Sequence, residues 1–335
     1  MQAVHGAGRP RRRRALRAVA GACKDGVRHS HSVSETSSTV GLRFLHASDI
    51  HLLDLTGVGP LRYFNKRATG GLNLLLGRRK RHDEDRFDAL VEASRRLGVD
   101  RLVLTGDLTN LALESEFEHV ARRLSSLPLP VTVIPGNHDT YTRGSARARR
   151  FERYLGGFME GERLSDAPYP FVQDYGDVAL VGVSSAVPTR PLWATGRVGP
   201  DQLTRLAEVL RRLRGEGKMR VVLIHHPVME GVARPRHELV DLDAFGRVIA
   251  QEGAELVLHG HEHKVVRGHI EGPEGPVPVH GISSGTAVAA AAPYAAGFTV
   301  YEIEGGTMRS ELHLWQDTDF ARADARLAVS PVAAP

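Results

Sequence analysis

Short apolar runs alternating with longer stretches of helical periodicity set the tightest limit on how this chain folds. The runs 42–47, 101–105, 131–134, 178–183, 220–224 and 255–258 are rich in Val, Ile and Leu, and too short for helices, so they read as buried strands. Between them, 83–97, 113–124, 145–158, 201–214 and 242–251 carry apolar residues at three- and four-residue spacing, as amphipathic helices do. This alternation predicts a layered α/β domain. In the last third, 265–270, 277–282, 298–303 and 308–315 read as strands joined by Gly-rich turns, which predicts a second sheet there. A chain of 335 residues, 41% hydrophobic and 25% charged, has enough apolar material for one large domain or two small ones.

The ends read differently. The first forty-one residues combine Arg9, Arg11, Arg12, Arg13, Arg14, Arg17, Lys24 and Arg28 with only Asp25 and Glu35, and they show no hydrophobic periodicity. They are expected to be a disordered basic extension or a gene-start artefact. An export signal fits less well, because Arg17 cuts the apolar stretch short. Since this segment holds the excess behind the net charge of +5, the body 42–317 is close to neutral and no stable nucleic-acid partner is expected. The tail 318–335 reads as flexible. The Ala-rich run 286–292 stops at Pro293, far short of a membrane span. The single cysteine, Cys23, excludes a disulfide framework and fits a cytoplasmic protein. Any metal would therefore be held by His, Asp, Glu or Asn.

Chemistry gathers where strands end. Asp49-Ile50-His51 follows the first run, Gly106-Asp107 the second and Gly136-Asn137-His138-Asp139 the third. His225-His226 follows 220–224, and Gly260-His261-Glu262-His263 follows 255–258. Ligand-binding groups of open α/β sheets collect at the carboxyl ends of strands. The one-residue gap between Asp49 and His51 puts both side chains on one side of an extended chain, and Gly106 allows a sharp turn that leaves Asp107 at a strand tip. A lone Asp-x-His or Gly-Asp is explained as well by turn chemistry. Five such clusters, in order and each at a strand end, are not.

These blocks resemble the calcineurin-like metallophosphoesterases over about 42–315. The resemblance implies a four-layer αββα sandwich, with two central mixed β-sheets flanked by helices and a dinuclear metal site at the strand carboxyl ends. It assigns Asp49, His51 and His263 to one divalent ion (Mn, Fe or Zn), Asn137, His225 and His261 to another, and Asp107 to both. His225 matches the family ligand better than its neighbour His226, given its distance from the strand and from Pro227. His138 is left to serve the leaving oxygen, with Asp139 orienting its ring. The implied activity is that of a metal-dependent phosphoric ester hydrolase, in which a metal-bridging hydroxide attacks phosphorus in a small phosphate-ester substrate.

Departures within the blocks narrow the substrate. Leu108-Thr109-Asn110 lacks the Asp-Arg-Gly continuation of protein serine/threonine phosphatases, and His138 stands where lipid A pyrophosphatases acting on UDP-diacylglucosamine carry Arg. DNA exonucleases of the family add a capping domain, whereas only a short remainder follows His263. Ile224-His225-His226-Pro227 is most similar to bacterial cyclic nucleotide phosphodiesterases. A non-catalytic, metal-binding regulatory protein is the alternative of another class, but every ligand position holds a competent residue. The insert 62–82 sets Lys66, Arg67, Arg78, Arg79, Lys80 and Arg81 around a leucine stripe. It reads as a solvated helical hairpin or lid, or else as a basic and apolar face for a lipid-linked substrate or a membrane surface.

Overall fold

A computed structural model of the chain describes residues 41–54, 82–289 and 291–328. The expectations for the basic extension before Gly41, for 62–81 of the insert and for 329–335 lie outside these residues. The elements in order are β1 (Leu42–Ala47), α1 (Glu84–Arg96), β2 (Arg101–Leu104), α2 (Glu114–Ser125), β3 (Val131–Val133), α3 (Arg143–Arg147), α4 (Arg150–Leu155), β4 (Phe171–Tyr175) and β5 (Val178–Gly182). There follow α5 (Pro200–Gly215), β6 (Met219–Leu223), α6 (Leu242–Glu252), β7 (Leu256–His259), β8 (Val266–Ile270), β9 (Val277–Gly281), β10 (Gly297–Glu304), β11 (Thr307–Gln316) and β12 (Asp319–Arg322).

The strands form two six-stranded sheets, ordered β12-β11-β10-β1-β2-β3 and β4-β5-β6-β7-β9-β8. Both are mixed: β1, β2 and β3 run parallel, as do β5, β6, β7 and β9, while the remaining strands add antiparallel at the margins. Period-two alternation explains why the second sheet is apolar on both faces. Val221, Leu223, Leu256 and Leu258 join the core shared with the first sheet and with Phe87, Leu90, Phe117 and Val120 of α1 and α2. Val222, Ile224 and Val257 face the other way, onto Leu206, Val209, Leu210 and Leu213 of α5 and Phe245 and Ile249 of α6. The expected two-sheet sandwich flanked by helices is thus observed. Among the described residues, no helix is long and apolar enough to cross a membrane.

Three expectations are corrected. The last third does not build a sheet of its own: β8 and β9 extend the second sheet while β10, β11 and β12 extend the first, because the cross-strand partners of β10 include β1. The tail does not fray at residue 318, since Asp319–Arg322 pairs with β11 and buries Phe320 against Phe298 and Trp315. The helix expected over 145–158 is broken at Arg149, which adopts φ 46°, and it ends in a tight 3₁₀ turn at Gly156–Met159.

Behind the strand ends, His46 lies buried and His280 half-buried near Arg267. Burial, then the Arg267 charge, depresses both imidazoles, His280 to about 3. An unfolded chain takes up these protons as the pH falls below the ordinary imidazole value of 6.5, whereas the folded chain refuses the one on His280 until about 3. Their contribution is therefore complete above that ordinary value and lost as the pH falls towards 3. Urea unfolding at about pH 7 and about pH 4 should differ by a few kcal/mol. His280→Asn should flatten the dependence, and an unchanged slope in that variant would refute the assignment.

Candidate metal centre

The first sheet brings Asp49 and His51, Asp107, and Asn137 with His138 to one edge at the ends of β1, β2 and β3. The second brings His225 after β6, and His261 with His263 after β7. Backbone bonds stitch these loops together. Asp49 N–H donates to Gly106 O (2.9 Å), His51 N–H to Asp107 O (3.0 Å) and Gly260 N–H to His225 O (3.1 Å). The two sheets are joined where His261 N–H donates to Asp49 Oδ2 (2.9 Å).

Five of the seven candidate ligands adopt the left-handed backbone region: Asp49 (φ 55°), His51 (51°), Asp107 (54°), His261 (72°) and His263 (51°). Such residues are uncommon outside glycine and cluster at functional sites. The convergence of Asp49 and His51 therefore comes from tightly turned loops, and the extended geometry inferred from their spacing is incorrect. Gly106 does make a sharp turn, at φ 96°. Gly136 is required for a different reason: a Cβ there would lie 2.2 Å from Asp107 Oδ1.

All seven side chains come together. Asp49, His51 and Asp107 form one group of converging ligand atoms and Asp107, His225 and His261 another, so Asp107 belongs to both. Its Oδ2 lies 3.9 Å from His51 Nε2 and its Oδ1 3.5 Å from His225 Nε2. His51 Nε2 is 3.4 Å from His263 Nε2, which is 3.1 Å from Asp49 Oδ1. On the other side, His225 Nε2 is 3.1 Å from both Asn137 Oδ1 and His261 Nδ1. The choice between neighbouring histidines is also legible. His226 has its ring nitrogens 2.7 Å from Ser185 Oγ and 3.1 Å from Ala194 O, so it is held by protein on both edges.

The donor set fits divalent metal ions. His225 Nδ1 donates to Thr105 O (2.7 Å), which turns Nε2 toward the side-chain oxygen of Asn137. A cation lying between these two atoms would take both as ligands. Asp49 Oδ1 is buried, with His263 Nε2 3.1 Å away. Burial, followed by the charges of Asp49 and Asp139, pushes the Asp107 carboxyl well above its ordinary range. Burial also raises Asp49, but the His263 charge and hydrogen bonds override it and hold that carboxyl low. Burial, then His226 and His225, keeps His261 well below the ordinary imidazole value, in the neutral form that binds metals. Bound cations would reverse the repulsion among the carboxylates.

Asp139 does not orient the His138 ring as expected. Its carboxylate accepts from Gly136 N (2.9 Å), Leu108 N (3.1 Å), Thr109 N (2.8 Å) and the Thr109 hydroxyl (3.0 Å), fastening two ligand loops together. His138 Nδ1 instead lies 2.6 Å from Asn110 O, and its ring stacks on Tyr141 at 5.4 Å. Two residues near the centre escaped sequence reasoning. His82 groups with His51 and His263, and His237 groups with His261 and Glu262. Neither follows a strand, so the rule that found the others passes over both.

A mixed two-sheet sandwich with clustered imidazoles and carboxylates at its strand ends is the architecture of a metallohydrolase. The model of the calcineurin-like phosphoesterase family matches residues 42–265, and the chain belongs to that family, as a hydrolase acting on phosphoric esters. Among curated proteins it is similar to a probable cyclic nucleotide phosphodiesterase of Synechococcus sp., 32% identical over 225 residues, which cover 66% of this chain and 78% of that one. It is also similar to a probable glycerophosphodiester phosphodiesterase of Arcobacter nitrofigilis, 27% identical over 176 residues, which span 50% of this chain and 57% of that relative. A dimetal phosphatase from Danio rerio shares the fold, with TM-score 0.58, 16% identity, and coverage of 85% of this chain and 99% of that one. So does a purple acid phosphatase from yellow lupin seeds, with TM-score 0.52, 13% identity, and coverage of 85% and 53%.

Proposed function

We propose that this chain hydrolyses small phosphodiesters, with cyclic nucleotides the foremost candidates, on two divalent cations. The observation that carries this reading is the pair of ligand groups sharing Asp107. Asp49, His51 and His263 would hold one ion, Asn137, His225 and His261 would hold the other, and Asp107 would serve both. Such ions supply charge to the phosphoryl oxygens and acidify a coordinated water. Manganese, iron and zinc all suit borderline nitrogen and oxygen donors.

The chain's own part is positional. Asn110 O accepts from His138 Nδ1 and fixes the ring, so that Nε2 is the nitrogen that takes up a second proton, and the resulting imidazolium hands it to the leaving oxygen. Beyond Tyr141, an open cavity of about 660 Å³, lined also by Arg143, Trp193 and Arg197, has the size to receive the organic part of the leaving group. The likeness to a relative described as a cyclic nucleotide phosphodiesterase supports this choice of substrate, and the single cysteine supports a cytoplasmic setting.

The test is reconstitution of metal-depleted protein with manganese, iron or zinc. Turnover is then measured on bis-para-nitrophenyl phosphate, para-nitrophenyl phosphate, a 3′,5′-cyclic nucleotide and a glycerophosphodiester. Two ions per chain and faster cleavage of diesters are expected. Hydrolysis of the monoester alone would defeat the reading.

A further inference from the structure

Resting on that dinuclear reading, we propose that His82 is a third imidazole ligand of the ion held by Asp49, His51 and His263. His82 lies just before α1, bridged to Ala287, and its backbone neighbour Asp83 donates to Thr286 O (2.9 Å). Its Nδ1 is 3.0 Å from Thr286 Oγ1 and 3.3 Å from Ser284 Oγ. Those hydroxyls already spend their protons on the ligand loop: Thr286 Oγ1 donates to Ile50 O (2.8 Å) and Ser284 Oγ to Asp49 O (2.6 Å). Towards His82 both oxygens are acceptors, so Nδ1 is the proton-bearing nitrogen and the neutral ring carries its lone pair on Nε2. His51 is set the same way, with Nδ1 3.3 Å from Thr109 O.

The His82 ring is 4.4 Å from that of His51 and 5.7 Å from that of His263, and the ligand atoms of all three lie within 4.8 Å of one another. An ion there would have three imidazoles as well as Asp49 and Asp107, against two imidazoles, Asn137 and Asp107 at its neighbour. The two positions would then differ in donor number and in nitrogen content. Ser284 and Thr286 serve both partners, holding the Asp49–Ile50 backbone on one side and the His82 ring on the other. Metal affinity is thereby linked to the loop after β9.

The experiment is cobalt(II) titration of the full metal-depleted chain, followed by calorimetry and visible absorption, in the wild type, His82→Ala and His82→Gln. In both variants one of the two binding steps should weaken at least about tenfold, and the cobalt absorption should change as the coordination number falls. Unaltered steps and spectra in both variants would overturn the proposal. So would wild-type affinity in His82→Gln alone, because glutamine can keep the hydrogen bond to Thr286 but removes the imidazole. Circular dichroism checks folding, and the glutamine variant decides if alanine fails to fold. Fewer than two cobalt ions bound by the wild type would sink the dinuclear reading and this inference with it, whereas two ions with indifferent variants would remove only the inference.

Discussion

Asp107→Asn should lower kcat/KM by about 10³-fold or more, the scale seen when a preorganised electrostatic group is lost, while raising the stability of the metal-free protein. Both effects come from one carboxylate placed between two sets of imidazoles. Its oxygens face His225 and His51, and Oδ1 also accepts from His138 N–H at 2.8 Å. Asparagine can keep that last bond but brings no negative charge to share between cations. Without cations, the charge is a liability in the presence of Asp49 and Asp139. The sign follows from the raised pKa. The folded apoprotein holds a proton that the unfolded chain releases, so Asp107 aids folding at low pH and loses that benefit as the pH rises through its folded value. The gain from Asn should therefore appear near neutrality. Metal content, melting temperature in chelator and turnover of bis-para-nitrophenyl phosphate read out the three effects. A variant that keeps both ions and wild-type turnover would contradict the bridging role.

His138→Ala should leave metal content near two ions per chain and cost roughly 10²–10⁴-fold on substrates with alkyl leaving groups. On para-nitrophenyl esters, whose leaving oxygen needs little protonation, the loss should be small. This asymmetry separates proton donation from positioning. The ring is buried, faces the Asn110 carbonyl through Nδ1 and packs on Tyr141, so its truncation also opens space beside the cavity. A purely steric role would reduce both substrate classes alike, and that result would retire His138 as the acid.

The seven candidate ligands could be read in advance because each follows a strand whose identity rests on local apolar pattern. A strand end is visible within a few residues of sequence. Asp139 shows where such reading stops: its type and place suggested a partner for the adjacent imidazole, but four donors from separate loops claim its carboxylate. His82 and His237 reach the centre through connections whose course depends on tertiary packing. The allocation of β8 to β12 between two sheets was hidden for the same reason, because a strand's period reports its faces and says nothing of its neighbour. β4 was missed because it places Gln173 and Asp174 mid-strand, as an edge strand can.

The left-handed ligand positions bear on the ancestry of such centres. Apart from glycine, asparagine, aspartate and histidine are the side chains most often found in that region, so Asp49, His51, Asp107, His261 and His263 would answer two demands at once, one of the loop and one of the proposed ion. A change to valine at any of them would fail both. A change from aspartate to glycine would satisfy the loop and abandon the ion. A catalytically silent descendant with its sandwich intact is therefore a single codon step away, and a lineage can retire the chemistry while retaining the scaffold for another use.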